Sequence, residues 1–334
     1  MTIKIAINGL GRIGRSVIRA LVETGRQDIE IVAVNGPADI ATHIHLLKYD
    51  SIHGAFRGDV KAVGENAIDF GRGEVKLTRE KDVSKLDWSG IDVVLECSGK
   101  FTKRADAALH LAQGAKKVLI SAPSPDADST IVYGVNNQAY KPDHQVISVG
   151  SCTTNCLAPV AQVLQNLLGI ENGFMTTIHS YTGDQNIVDG SHKDLRRGRA
   201  AALSMVPTST GAAKAIGLVL PELAGKLGGV AIRVPTPNVS LVDLTFQAQR
   251  DTSKEEINAA ILAASQAGLN GVLATCDEPL VSIDFNHHPA SSIFDLTGTN
   301  VTGKRFCRVS SWYDNEWGFS CRMLDVTKLV CDIK

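Results

Sequence analysis

Asn8-Gly9-Leu10-Gly11-Arg12-Ile13-Gly14-Arg15 follows the apolar run Ile3-Lys4-Ile5-Ala6-Ile7 and precedes apolar residues at Val17, Ile18, Leu21 and Val22. The run reads as a strand, and the later positions recur at helical spacing, so the three glycines lie between a strand and a helix. A G-x-G-x-x-G in that setting has a physical reading. Its first glycine permits a tight turn, its second lets backbone approach a pyrophosphate, and its third lets helix and strand pack closely. Alone the pattern is weak, because a turn can be glycine-rich for no further reason. Its position makes Asn8, Gly9, Gly11, Arg12, Ile13 and Gly14 candidate dinucleotide contacts.

A second strand over residues 29–34 ends at Asn35-Gly36-Pro37, where such folds usually carry an acid that binds the ribose hydroxyls. Here that place holds Gly36. Glu30 has roughly the right separation from the loop but lies at the start of the strand, whereas the cofactor sits beyond strand carboxyl ends. Without that carboxylate a 2'-phosphate is not repelled, so NADP is admissible beside NAD. Further strands are expected over 92–96, 118–120, 131–135 and 146–149, with a helix over 102–114. That alternation predicts a parallel sheet, with Ser98, Gly99 and Ser121 facing the same crevice as the glycine loop.

From residue 151 the pattern changes to one long helix and then longer strands over 239–249 and 305–312, a helix over 254–267, and a strand near 281–285. The fold class is therefore α/β, with a Rossmann-type dinucleotide-binding domain over 1–150 and an α+β catalytic domain with a mixed sheet over 151–317. A last helix, within 318–334, fits against either half.

Ser151-Cys152-Thr153-Thr154-Asn155-Cys156 opens the long helix. A thiol at a helix start can lose its proton near neutral pH. The hydroxyls of Ser151 and Thr153, with the N–H groups of the first turn, offer donors to an anion. Residues 174–178 read as a short strand delivering His179. Cysteine and histidine distant in sequence can form a thiolate-imidazolium couple that attacks carbonyl carbon. Singly, either residue is more often packing. Cys156, one turn after Cys152, is read as packing, and the three-residue gap is not a usual zinc spacing, so no metal is expected.

The polar segment 183–202 is long for a regular domain, and such loops tend to be functional or disordered. Arg197 within it can grip phosphate in a bidentate manner, although a basic run is often only a solvated surface. Ser209-Thr210-Gly211 looks like another helix start with free N–H groups. Arg233 sits in an apolar strand, where a charge needs a partner. Two phosphate sites near one thiol follow.

At 334 residues the chain is long enough for two filled cores, and its net charge of −1 argues against nucleic-acid or membrane-surface partners. Seven cysteines without regular spacing suggest reduced thiols and a cytoplasmic location. No run approaches a membrane span.

Taken together, Asn8–Arg15, Leu47–Ser51, Ser151–Pro159, His179–Asp184, Ser209–Lys214, Arg233–Ser240 and Ser311–Gly318 closely resemble the phosphorylating glyceraldehyde-3-phosphate dehydrogenase family, end to end. The resemblance implies that Cys152 adds to the aldehyde of glyceraldehyde 3-phosphate while His179 takes the hydroxyl proton. Hydride then leaves for the nicotinamide, and inorganic phosphate cleaves the resulting thioester. It also implies that Thr182 and Arg233 hold the C3 phosphate. Ser151, Thr153, Arg197, Thr210 and Gly211 would line the attacking-phosphate site, Asn315 would orient the nicotinamide amide, and the chain would form a homotetramer whose segment 183–202 reaches the neighbour's cofactor. Three positions depart from the family's pattern. Gly36 replaces the usual aspartate, Gly190-Ser191 stands where strictly NAD-using members have leucine and proline, and Val149-Gly150 replaces asparagine and alanine. The first two suggest dual use of NAD and NADP. Alternatives are an erythrose-4-phosphate dehydrogenase, against which Ser209-Thr210-Gly211 speaks, and a non-catalytic dinucleotide- or RNA-binding scaffold, against which Cys152 and His179 speak.

Overall fold

In the computed structural model, which describes residues 2–333, strand Ile3–Asn8 lies inside a nine-stranded sheet. Its neighbours are Ile29–Asn35 on one side and Val93–Glu96 on the other, both parallel to it. Chain order runs outward in both directions from there, through Lys117–Ile120 and Val146–Ser148 on one side and Glu74–Thr78 on the other. Such a switch point leaves a crevice beyond the strand carboxyl ends. Two short antiparallel strands, Ala67–Asp69 and Lys61–Ala62, finish the far edge.

Helix Arg12–Glu23 forms because Val17, Ile18 and Leu21 share one face and bury it on the sheet. Each such side chain stabilises by about 1.5–3 kcal/mol, and truncating Leu21 to alanine costs about 2–5 kcal/mol. Gly25, at φ +70°, ends the helix in the left-handed conformation that a C-terminal cap needs. The last helix, Trp317–Asp332, carries Asp325, which bonds Arg26 at 2.6 Å, and its Val330 carbonyl accepts from Tyr140 Oη at 3.0 Å. The chain thus divides into two compact units: the residues up to Ser151 with those from Ser320 onward, and Cys152–Phe319.

The second unit holds an eight-stranded mixed sheet. Strand Ile170–Ser180 runs parallel to Leu227–Val234 and antiparallel to Ser240–Ala248, which in turn pairs with Phe306–Tyr313. Residues of Ser240–Ala248 alternate between buried and half-buried, as expected when helices cover one face of a sheet more fully than the other. Helix Cys152–Leu168 packs on this sheet beside Ala212–Val219 and Lys254–Gln266.

Three expectations about local structure fail for identifiable reasons. Residues 131–135 are not a strand. Ile131 and Val132 are apolar because they are fully buried, and Asn136 closes a turn there by accepting from Val132 N at 2.8 Å and donating to the Thr130 carbonyl at 2.8 Å. Segment 281–285 is a single turn, Ser282–Phe285, capped by the Asp284 carboxylate on the Val281 N–H at 2.8 Å. The helix expected over 102–114 is two short pieces, Arg104–Ala107 and Leu109–Ala112. The strand bearing His179 is longer than expected, because Ile170, Asn172 and Gly173 already pair with Ser240–Ala248, and Gly173 pairs with Leu227 as well.

Candidate active site and dinucleotide cleft

Strand register assembles the reactive centre. His179 stands opposite Arg233 in the parallel pair, and Ser240 stands opposite Tyr313 in an antiparallel one. Cys152, the first residue of its helix, is partly exposed, and its Sγ lies 3.5 Å from His179 Nε2. Nδ1 of the same ring is 2.7 Å from the Ser180 carbonyl and 2.8 Å from Arg233 Nη1. One nitrogen cannot both donate and accept in a neutral ring. Arg233 Nη1 has the Ser180 carbonyl as a second acceptor at 3.0 Å, so Nδ1–H donates to that carbonyl and the Nε2 lone pair faces the sulfur. This tautomer is the one a general base requires.

Burial raises the Cys152 thiol above its ordinary value, opposed by the Arg233 charge and by hydrogen bonds from Thr153. Burial also pushes His179 down to about 3, and Arg233 adds to that. Burial thus opposes each ionisation taken singly, while the Arg233 charge and the Thr153 hydrogen bonds favour the thiolate, and Nε2 is placed to take the thiol proton. A hydroxyl chain steadies the sulfur: Thr177 Oγ1 is 2.8 Å from Tyr313 Oη, which is 2.9 Å from Thr153 Oγ1. With Thr153 turned toward sulfur, Tyr313 donates to Thr153 and Thr177 donates to Tyr313. Burial holds the Tyr313 phenol well above its usual 10.0, and its ring meets the His179 ring edge-on at 5.9 Å. Cys156 is fully buried, with its thiol pushed up to about 12, and is inert packing.

Arg233 keeps its charge in a partly buried place, and its Nε is a buried donor without a partner. That orphan fits an anionic ligand beside the thiol. Arg197 is committed differently. Its Nη1 bonds Asp184 at 2.6 Å, its Nε bonds Thr208 Oγ1 at 2.9 Å, and its Nη2 reaches the Ser209 carbonyl at 3.3 Å. Since Asp184 is half-exposed, an incoming anion can replace it at small cost. Gly211 caps helix Ala212–Val219 without a side-chain bond, and Thr210 Oγ1 accepts from Ala212 N at 3.2 Å. Arg197, Thr210 and Gly211 thus meet around Ser209, while Cys152, Thr153, His179 and Arg233 form a second group. Asn315 belongs with that group, its Oδ1 accepting from Ser180 Oγ at 2.8 Å and Ser240 Oγ at 3.0 Å. Thr182 follows the end of the His179 strand and is half-buried. Ser151 and Gly150 lie in the first unit, and Gly150 at φ +71° occupies a conformation that alanine would strain.

The first unit contains a cleft of about 350 Å³ at the strand carboxyl ends, lined among others by Asn8, Gly9, Gly11, Asn35 and Ser98. A Cβ on Gly9 would fall 2.5 Å from Ser98 N, and one on Gly14 would fall 2.0 Å from the Gly9 carbonyl, so both are demanded by packing. A Cβ on Gly11 would meet no atom within 4 Å. Gly11 caps helix Arg12–Glu23 with no side-chain bond, and no acid sits in the first turn. The open space and free helix N–H groups fit a pyrophosphate. Gly36 lies between Asn35 and Pro37, and Gly99 between Ser98 and Lys100, all four on this wall, and Arg12, Ile13 and Gly14 follow Gly11 into the helix. Arg12 turns to Asp50, with Nη2 at 3.1 Å from Oδ1, and Ser121 bonds the Cys97 sulfur.

Sequence reading missed what holds this cleft. Glu96, only 1% exposed, accepts from Asn8 Nδ2 at 2.6 Å, from His110 Nε2 at 2.9 Å, from Ser98 N at 2.7 Å and from the Ser98 hydroxyl. Trp88 Nε1 donates to His110 Nδ1 at 2.9 Å, which places the proton on Nε2. Asn35 Nδ2 donates to Asn8 Oδ1 at 2.7 Å, and Asn35 Oδ1 accepts from Thr78 Oγ1 at 2.8 Å. The only sequence signal was that Asn8, Asn35 and Glu96 each end an expected strand. Among the described residues no group of three or more His, Cys, Asp or Glu side chains is placed to hold a metal ion, and no helix is long and apolar enough to cross a membrane.

Residues 3–104 match the model of the glyceraldehyde 3-phosphate dehydrogenase NAD binding domain, and residues 151–315 match that of its C-terminal domain. The glyceraldehyde-3-phosphate dehydrogenase of Xanthobacter flavus is 60% identical over 327 residues, covering 97% of each chain. That of Cereibacter sphaeroides is 60% identical over 325 residues, again 97% of each. That of Geobacillus stearothermophilus is 53% identical over 333 residues, 99% of this chain and 98% of the relative. With its glycine-lined cleft in one unit and a thiol facing an imidazole in the other, this chain belongs to the glyceraldehyde-3-phosphate dehydrogenase family.

Proposed function

We propose that the chain oxidises glyceraldehyde 3-phosphate with inorganic phosphate and NAD or NADP, giving 1,3-bisphosphoglycerate and the reduced cofactor. The observation that carries this reading is the Nε2 lone pair held 3.5 Å from Cys152 Sγ by the Nδ1–H bond to Ser180. Sulfur adds to the aldehyde carbon and makes a hydroxyl. His179 takes the hydroxyl proton as hydride leaves that carbon, and an acyl group remains on sulfur. A phosphate oxygen then attacks the thioester carbon and expels the Cys152 thiolate. When bound, the dinucleotide supplies the nicotinamide ring that accepts the hydride. Residues 1–150 with the final helix bind it through the Gly11 turn and the wall at Asn35 and Ser98, and residues 151–317 carry the chemistry.

Arg233 and Thr182 hold the C3 phosphate in this reading. Ser151, Thr153, Arg197, Thr210 and Gly211 receive the attacking phosphate, and Asn315 orients the nicotinamide amide. The absence of an acid at Gly36 and the presence of Lys81 and Lys100 beside Glu80 on the cleft wall support use of NADP as well as NAD. Exposed Ile187, Val188 and Leu195 on the segment 183–202 support a homotetramer in which another copy covers them. The seven free cysteines fit a reducing, cytoplasmic setting.

Phosphate-dependent formation of NADH and NADPH from glyceraldehyde 3-phosphate tests the reaction. No product with either cofactor would refute it. An NADP kcat/KM lower than that for NAD by about three orders of magnitude, roughly 4 kcal/mol, would refute dual use. Light scattering that returns a mass other than four copies would refute the tetramer.

A further inference from the structure

We infer that Gly36 and His43 form one steric and hydrogen-bonded unit that keeps a side chain out of the ribose end of the dinucleotide cleft, making His43 a specificity-determining residue for the adenosine ribose. The inference rests on the reading that this cleft takes NAD or NADP.

His43 lies in the first turn of helix Ile40–Lys48, whose cap is Asp39, accepting from Thr42 N at 2.6 Å. Side chains there lean back toward the helix start and so toward the turn 36–38. The imidazole is 6% exposed and forms part of the cleft wall. Its Nε2 is 3.2 Å from the Gly36 carbonyl, which can only accept, so Nε2 carries the proton. Burial, and then the Arg15 charge, hold the ring below its ordinary pKa against the opposing effects of the Gly36 carbonyl and Asp39, which leaves it neutral.

A Cβ built on Gly36 would come 2.7 Å from His43 Cε1 and 2.8 Å from Nε2, with Leu10 Cβ at 3.2 Å on another side. Even one carbon at position 36 displaces the ring, and displacement breaks the bond to the Gly36 carbonyl. Dinucleotide folds place an acid at this strand end to bind ribose hydroxyls, and such an acid repels a 2'-phosphate. In this chain a neutral ring occupies the volume the acid would need. Restoring a carboxylate at 36 therefore requires the ring to swing aside and give up that bond, or to be removed, so the two positions are energetically coupled.

The test is a pair of double-mutant cycles on the full-length protein in its native assembly, Gly36→Asp with His43→Ala and Gly36→Ala with His43→Ala. Dissociation constants for NAD and NADP are read by fluorescence titration, and thermal midpoints are read without cofactor. Gly36→Asp alone is expected to weaken NAD binding about tenfold, whereas in the His43→Ala background it strengthens NAD and rejects NADP, a coupling of at least about 1.4 kcal/mol. Gly36→Ala is expected to lower the midpoint in the wild-type background and to leave it unmoved with His43→Ala, which reads the clash with no ligand present. Effects that multiply within about twofold in both cycles would overturn the inference. If the wild-type protein binds no NADP, dual use falls, while the NAD and thermal cycles still decide the pair.

Discussion

Two helices, one starting in each unit, begin differently. Helix Arg12–Glu23 starts from Gly11, bare of any capping side chain, and opens onto space that no protein atom fills. Helix Cys152–Leu168 starts with a thiol that faces His179 on one strand, while Arg233 on the next bonds His179 and Tyr313 on a third bonds the neighbouring Thr153. The first site works through what its side chains leave free, namely backbone N–H groups and room. The second works through what its side chains supply. Substitutions should therefore separate binding from chemistry.

The largest separation is expected at Cys152. Cys152→Ser should lower turnover by at least about 10⁴-fold, because a hydroxyl is a far weaker nucleophile, while leaving cofactor affinity within about twofold. Isothermal titration beside a rate assay checks both. Loss of cofactor binding in this variant would break the comparison.

His179→Asn should lower turnover by about 10²–10⁴-fold and slow alkylation of Cys152 at pH 7 by more than about tenfold, since the proton acceptor is gone. It also has a stability signature. His179 is pushed from 6.5 in the unfolded chain to about 3 in the fold, so between those values the unfolded chain binds more protons. Stability from this group is fully present above pH 6.5 and declines as pH falls toward 3, by a few kcal/mol at most. Denaturant midpoints from pH 7 to pH 4 should fall less steeply for His179→Asn than for wild type. Equal slopes would show that the ring is not buried neutral.

That contrast also decides what was legible beforehand. The glycine site could be read because its signal is local: Gly9, Gly11 and Gly14 lie within six residues, each dictated by a nearby backbone or by open space. The thiol site could be read only as separate candidates, since the pairing of His179 with Arg233 is a matter of strand register between segments 54 residues apart. Tyr313 and Glu96 escaped functional notice because a buried phenol and a buried carboxylate look like packing until their partners are seen. The strands expected at 131–135 and 281–285 failed for the converse reason, since an apolar run there reports local burial or exposure rather than pairing.

A smaller effect is expected at Glu96. Glu96→Gln keeps the shape but turns an amide toward groups that all donate, leaving a buried donor unserved at about 1–3 kcal/mol. Cofactor KM should rise about tenfold or more as Asn8 and Ser98 shift, with less change in kcat at saturating cofactor. An unchanged KM would show that the network serves stability alone.

Gly11→Ala should give the smallest effect and the sharpest test, because stability and binding are expected to move in opposite directions. The residue sits at φ −75°, which alanine accepts, and its Cβ would touch no protein atom. The unfolded chain loses freedom on this substitution, so the fold should gain about 0.4–1 kcal/mol. The same methyl enters the space left for the pyrophosphate, so cofactor affinity should fall by about 1 kcal/mol, roughly fivefold. Alkylation of Cys152 should be untouched, because Gly11 supplies nothing to the thiol. A variant that is both less stable and unchanged in affinity would mean that Gly11 is kept for the fold, and the distinction between a site made of absence and a site made of side chains would fail where it is most exposed.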